Sequence, residues 1–516
     1  MKWSGRIHVT SLNNMPGITF DLTLPPGIAY RSAYLTDLGR RPLVTRAKTA
    51  RWLSLETRSP GPYMVHTVLG SALGDLEVVA DAGGEGFTPA ASAPNLLIEV
   101  IDSRLMRCER RLHVAGLSEA DFPELVSAQE SFDHGDFSSA FVQSIRAGDD
   151  IEYAASHKIL LANGRKALFS GSICFGERLG QWSIGVGPDW PPSATPPQFI
   201  RPRVQREPLL LACEAMTLPN FWRWVEPQRW KYRWDVLDDM LDWAEQHKLA
   251  VKSFAIFWLG IGGVPPWFRD LNYREQLLAV EQWTRALVGR YKGRIMAWET
   301  VNENHDWAFG NPFDWTHRKR VEVSRLVNEL VGSLDPGTPR VINNCCIWGD
   351  YASRDERRTS WLPGELPPAS DSPLTFLEHL IAREVPFEGI GLQYYLPGRD
   401  LMECAEQLDR YLALRKDIYI TEMGTPGFPT ANRPIETAQI TPGGGWRGPW
   451  SLDLQADWVR MWYTIAASRP RVCALNYWDL DDERAFIEGA GLVDRDGRPK
   501  PALLEVKKLR EEFPLQ

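Results

Sequence analysis

No run of residues in this chain approaches the ~20 consecutive apolar positions that a membrane-spanning helix needs. The opening, Met-Lys-Trp-Ser-Gly, also lacks the apolar core of a secretory signal, so the expected location is the cytoplasm. Cysteine is scarce: 7 residues in 516, odd in number, scattered, and without C-x-x-C spacing. That excludes a disulfide framework and a cysteine-built zinc site, and it fits a reducing compartment. Long basic runs are missing and the net charge is −8, which argues against nucleic acid as a partner. Several enzyme signatures are absent as well: no G-x-S-x-G, no H-E-x-x-H and no P-loop. Gly260-Ile261-Gly262-Gly263 follows a strand-like run but leads into Pro265-Pro266 rather than a helix, so a dinucleotide fold does not fit. No cofactor and no metal ligand set is expected. Asp133-His134-Gly135-Asp136 sits in a polar loop without partners.

What the chain has in excess is tryptophan, 22 residues. Most are expected in the core. Sugars present flat C–H faces that stack on indole rings, so some would line a glycan cleft.

Residues 1–175 read as mostly β and sandwich-like, either a glycan-binding or a structural module. Ile18–Leu24 alternates and stops at Pro25-Pro26-Gly27, while Asp75–Val79 and Leu96–Ile101 read as further strands. Asn163-Gly164 between two apolar triplets reads as a hairpin turn. A proline-rich segment, Pro188–Pro202, then changes the rhythm, with Trp182–Gly187 a candidate first strand of the second domain. In residues 176–516 strand-like runs alternate with helical spacings, such as Trp234, Leu237, Leu241 and Ala244. The runs are Val251–Trp258, Arg294–Thr300, Arg340–Asn343, Phe387–Gln393, Ile418–Thr421 and Val472–Trp478. That predicts an α/β fold, an eight-stranded (β/α)8 TIM barrel behind the N-terminal domain; an open doubly wound sheet is the alternative.

Two of these runs end in glutamate: Trp298–Glu303 (W-E-T-V-N-E) and Asp417–Glu422 (D-I-Y-I-T-E). Breaking a glycosidic bond needs an acid to protonate the leaving oxygen and a carboxylate facing the anomeric carbon. Glu303 reads as acid/base and Glu422 as nucleophile, with Asn302 placed to bind a sugar hydroxyl.

With these motifs in order, residues from about 180 to 510 resemble glycoside hydrolase family 10, the retaining endo-β-1,4-xylanases. W-E-T-V-N-E is similar to the family's W-D-V-V-N-E, and Ile420-Thr421-Glu422 to its I-T-E. Asn220-Phe221-Trp222-Arg223-Trp224 resembles N-A-M-K-W, Glu388–Gln393 resembles D-G-I-G-L-Q, and Trp478-Asp479-Leu480-Asp481-Asp482 resembles W-G-x-x-D. The resemblance implies Glu303 and Glu422 as the catalytic pair. It implies substrate contacts by Asn220, Arg223, Trp258, Asn302, Gln393, Tyr395 and Trp478. Trp446, in the long loop after Glu422 (Gly424 to Trp450), is an added candidate platform. His305, Asp306 and Trp307 are expected at the rim. The chain departs from the family where Ile256-Phe257-Trp258-Leu259 replaces L-V-W-H, Lys252-Ser253-Phe254 replaces R-G-H, and Tyr394-Tyr395 replaces S-H. The expected substrate is a xylan-type oligosaccharide or polysaccharide; a barrel glycosidase with another glycan preference or exo-action is the alternative.

Overall fold

The computed structural model describes residues 16–89, 93–172, 202–260, 262–305, 313, 315–354, 371–395, 398–429, 446–478, 480–482, 485 and 487–516. The chain starts with two antiparallel sheets. β1 (Gly17–Asp21), β4 (Thr45–Thr49) and β5 (Trp52–Thr57) pair in the order β1-β5-β4. β2 (Ala29–Thr36), β3 (Pro42–Leu43), β6 (Met64–Ser71) and β7 (Gly74–Ala80) pair as β3-β2-β6-β7. Alternation explains the pairing: Ile18 lies opposite Leu55 and Phe20 opposite Leu53, and all four are buried.

Three helices come next, where mostly strand was expected. Leu96–Ile101 is the first part of helix Leu96–Ala115. Its buried residues 96, 97, 100 and 101 repeat with the helical period, not with period two. Asn95 caps the helix by accepting from the amides of Leu97 and Ile98. Pro123–Asp133 and Phe137–Asn163 complete the set. Asp133-His134-Gly135-Asp136 is the link between these two, and Asp136 caps the second by accepting from the Ser139 amide. Asn163-Gly164 is therefore no hairpin. Gly164, at φ +64°, ends the long helix, its amide donating to Leu160 O, a positive-φ role glycine fills as readily as a hairpin turn.

The next strand is the first of the barrel. In chain order the barrel strands are β8 (Leu168–Ser172), β9 (Ala215–Leu218), β10 (Ala250–Ser253) with β11 (Phe257–Trp258), β12 (Trp298–Asn302), β13 (Arg340–Asn344), β14 (Gly389–Tyr395), β15 (Asp417–Gly424) and β16 (Val472–Tyr477). The expected strand at Trp182–Gly187 lies outside the described residues. All barrel pairs are parallel, in the order β10-β9-β8-β16-β15-β14-β13-β12-β11. β10 and β11 are two halves of one strand. Ser253 N donates to Ala297 O and Ile256 N to Glu299 O, which closes the sheet against β12. The result is an eight-stranded (β/α)8 barrel. Its helices include Asp235–Gln246, Tyr273–Tyr291, His317–Leu334, Pro373–Ala382, Leu401–Leu412, Leu452–Ala467 and Pro501–Glu512.

β12 and β14 are buried on both faces, as strands covered by helices outside and packed side chains inside must be. Tryptophan contributes heavily to this core. Trp222 and Trp234 each stack on Trp283, with rings 5.8 and 5.9 Å apart. Among the described residues no helix is long and apolar enough to cross a membrane.

Candidate active site

A barrel of this kind presents its chemistry at the C-terminal ends of the strands. The register sets the polar residues there at one level: Trp258 is opposite Asn302, Asn302 opposite Asn343, and Gln393 opposite Glu422. Bulges between Glu299 and Val301 and between Leu392 and Gln393 shift the ladders just before these positions, re-aiming the side chains beyond them. Glu303 is the next residue after β12. It takes φ +53°, left-handed and uncommon for a residue with a Cβ, while its amide donates to Asn343 O (2.9 Å).

The two glutamates meet. Gln393 Nε2 donates to Glu303 Oε1 (2.8 Å) and also to Glu422 Oε1 (3.0 Å). Those two bonds share one nitrogen, so the facing oxygens are no further apart than the bonds laid end to end. That bound falls short of the ~6.5–9.5 Å separation that admits a water between the acids of inverting enzymes.

Glu422 collects the donors. Besides Gln393, it accepts from Tyr395 Oη (2.7 Å) and Asn343 Nδ2 (3.2 Å). Asn343 is held in turn, since Nδ2 also donates to Asn302 Oδ1 (2.9 Å) and Oδ1 accepts from Thr421 Oγ1. Beneath them Asn476 donates to Thr421 O (2.7 Å) and Ser172 Oγ (2.8 Å) and accepts from Ser170 and Thr217. A satisfied polar layer across four strands thus fixes the floor on which Glu422 stands.

Charge is arranged unevenly. Burial lifts Glu303 to about 7, and the charge of Glu299 adds to the rise. Burial, with the charges of Glu303 and Glu299, pushes Glu422 well above the usual carboxylate range. Two carboxyls this close share one proton and titrate as a pair. Both shifts are upward, and on Glu422 the hydrogen bond from Tyr395 and the Lys252 ammonium oppose the rise. Three hydrogen bonds converge on Glu422, one of them from a phenol, and the Lys252 ammonium acts on it across the barrel. That cation is buried, and Lys252 Nζ donates to Glu299 Oε2 (2.5 Å) and Ser253 O (2.8 Å).

Around this pair the structure sorts the remaining candidates. Trp258 faces Glu303. The turn at Gly260 and Gly263 wraps it so tightly that a Cβ at either glycine would meet Trp258 at 2.6 or 2.1 Å, which is why those glycines are there. Asn220 is fully buried and donates to Phe254 O (3.0 Å), with its Oδ1 unpartnered among the described residues. Half-buried Arg223 has its pKa lowered by burial and by the nearby Arg269. Trp478 packs on Phe254 with rings 5.4 Å apart.

Two expectations are corrected. Trp446 is no sugar platform here: it is 2% exposed, and its indole N–H donates to Asp149 (2.8 Å) on helix Phe137–Asn163. The ring is buried and the Arg447 guanidinium lies over it, 4.9 Å from its centre, leaving no face for a sugar. His305 is not at the rim but fully buried, with Nδ1 2.9 Å from Tyr351 Oη, and burial lowers its pKa to about 3. Asp306 and Trp307 lie outside the described residues.

Asn343 and the Lys252–Glu299 pair were not anticipated as site residues. For Asn343 the available signal was the same one that marked Asn302, a polar residue near the end of an apolar strand, whereas Lys252 and Glu299 lie inside their strands.

Glycosyl hydrolase family 10 matches residues 198–321 and 367–509, just over half of the chain. The chain belongs to this family. It is 24% identical over 304 residues to endo-1,4-beta-xylanase B of Thermotoga neapolitana, covering 56% of this chain and 78% of that protein. It is 25% identical over 285 residues to endo-1,4-beta-xylanase B of Paenibacillus barcinonensis, covering 53% and 79%. Xylanase 10B from Thermotoga petrophila RKU-1, solved in complex with xylobiose, superposes with a TM-score of 0.48 at 19% identity, over 69% of this chain and 97% of that one. This family 10 member is thus a glycoside hydrolase. It carries Tyr395 on Glu422 where the family motif has histidine, and an apolar Phe254 beside Trp478 where the motif has another.

Proposed function

We propose that this enzyme cleaves β-1,4-linked xylan or xylo-oligosaccharides with retention of configuration, by double displacement. Glu422, charged and held by three donors, attacks the anomeric carbon while Glu303 gives its proton to the departing glycosidic oxygen. That leaves a glycosyl ester on Glu422. Glu303, now ionised, takes a proton from water, which attacks the ester and frees the sugar with its original configuration. Gln393 and Asn343 hold the nucleophile's carboxylate plane throughout, and Tyr395 anchors its second oxygen. Asn302, Asn220, Arg223, Trp258 and Trp478 are proposed to contact the sugar.

The single amide of Gln393 spanning both carboxylates carries this reading, because it fixes their spacing and their approach to one point. Family membership and the xylanase relatives support the choice of xylan. A second reading, a different glycan or exo-action on the same chemistry, is favoured by one observation. Phe254 sits in an apolar cluster with Phe221 (4.2 Å) and Trp478 (5.4 Å), at a position where the family motif supplies a polar ring. Losing a hydroxyl partner there changes discrimination between sugars by several kcal/mol. Mass and anomeric NMR analysis of products from xylan, glucan and aryl β-glycosides decides. Xylo-oligosaccharides of several lengths support endo-action on xylan, single sugars released from one end support the second reading, and inversion overturns the double displacement.

A further inference from the structure

Between two outer helices of the barrel, away from the carboxylates, three metal-ligating side chains meet. His317 is the first residue of helix His317–Leu334. Asp371 precedes the Ser372 cap of helix Pro373–Ala382, and His379 lies in that helix's last turn. One ligand atom from each lies within 4.8 Å of the other two. The two imidazole rings stand 5.0 Å apart and nearly perpendicular, at 87°.

The hydrogen bonds around the cluster are distributed unevenly. Asp371 Oδ2 accepts from Arg320 Nη2 (2.9 Å) and lies 2.7 Å from His317 Nδ1. Asp371 Oδ1 faces His379 Nδ1 at 3.7 Å, too long for a hydrogen bond, and that buried nitrogen has no hydrogen-bond partner among the described residues. Two ligands bonded at ~2.0–2.1 Å to a tetrahedral zinc ion stand about 3.3–3.4 Å apart, so this gap is closer to a shared metal than to direct pairing. Asp371 is buried while both imidazoles reach solvent, with side chains 29% and 41% exposed, so an ion enters from water and keeps a water ligand. Arg320 holds the far oxygen of the carboxylate and fixes its orientation, as outer partners of metal ligands do. Two imidazoles and one carboxylate suit zinc, nickel or copper rather than calcium or magnesium.

We propose that His317, Asp371 and His379 bind one divalent transition-metal ion of the zinc class. The ion clips the helix after the fourth barrel strand to the helix after the fifth. It acts on structure rather than on the sugar. Arg320 connects the clip to the rim, because its Nη1 donates to Asn304 O (3.1 Å), one residue from Glu303.

The test uses the full chain stripped with a chelator. Cobalt(II) is titrated in and followed by its visible absorption, and zinc chloride is added while thermal unfolding is monitored. The expected result is one ion per chain, cobalt bands of nitrogen and oxygen coordination, and a Tm that rises with zinc. His379→Ala removes a half-exposed ring and is expected to weaken binding at least tenfold, while His134→Ala, at an exposed loop, leaves it unchanged. Absence of one-to-one binding in the unaltered chain, or equal affinity in His379→Ala, overturns the proposal.

Discussion

In the proposed double displacement, Glu303 is the acid whose proton is consumed first. Its pKa is raised to about 7 by burial, above its ordinary value of 4.5. Activity is therefore expected to fall as pH rises through about 7, tenfold per further unit, because the leaving oxygen loses its proton source. In Glu303→Ala, assayed on an aryl glycoside with an activated leaving group, that limb of the pH profile disappears; its survival would point to another group. The same shift bears on stability with a definite sign. A carboxyl whose folded pKa is raised contributes most below the unfolded value and loses that contribution as pH climbs through the folded one. Glu303→Gln is thus expected to be more stable than the unaltered chain at pH 8, by on the order of 3 kcal/mol, and to show no such gain at pH 4. At this scale the sequence exposed Glu303 and Glu422, because each ends an apolar run at a barrel strand's rim. It did not expose His317, Asp371 and His379, because His317 lies 54 residues before Asp371 and the set carries no recognised spacing motif. Nor did it expose Trp446's partner: only the fold brings Asp149 to that indole.

Elements are tied across the barrel by charges that no local pattern announces. Lys252 on β10 and Glu299 on β12 form an ion pair with both residues buried. Removing one partner strands the other charge, which costs roughly 3–5 kcal/mol. Lys252→Met is expected to lower stability to urea by about that much, whereas Lys252→Met combined with Glu299→Leu recovers most of the loss. Additive losses in the double variant would show that packing, not charge, holds these strands. Strand positions in the barrel were legible because buried parallel strands read as short apolar runs, and Val472–Trp478 and Arg340–Asn343 coincide closely with β16 and β13. The helices at Leu96–Ala115 and Phe137–Asn163 were misread for a physical reason. A short apolar run fits either period, and Asn-Gly ends a helix as well as it turns a hairpin.

The N-terminal sheets and helices do not merely precede the barrel; they neutralise it. Arg104 pairs with Asp400, Arg107 with Glu403 and Glu406, and Glu77 with Arg399, nearly all of them buried. Asp149 accepts from the amide of Leu401 (2.7 Å) and from Trp446, tying helix Leu401–Leu412 to the segment beyond Glu422. A chain beginning at residue 164 would leave Glu403 and Asp400 without their cations. It is expected not to fold, and the full chain to unfold in one cooperative transition; a stable, active barrel from residue 164 would refute this. The fold class was readable from alternation alone, but this mutual dependence was not, since Arg104 and Asp400 are 296 residues apart. Taken whole, the barrel brings Glu422 and Glu303 together at one amide, and the proposed reaction sets Glu422 against a sugar carbon. In a 2-deoxy-2-fluoro β-xyloside with an activated aryl leaving group the fluorine slows both displacements while the good leaving group keeps the first one fast, so the covalent intermediate accumulates. Peptide mass spectrometry of the trapped enzyme is expected to find one fluoroxylosyl group, on Glu422. A label on any other residue, or turnover without a covalent species, contradicts it.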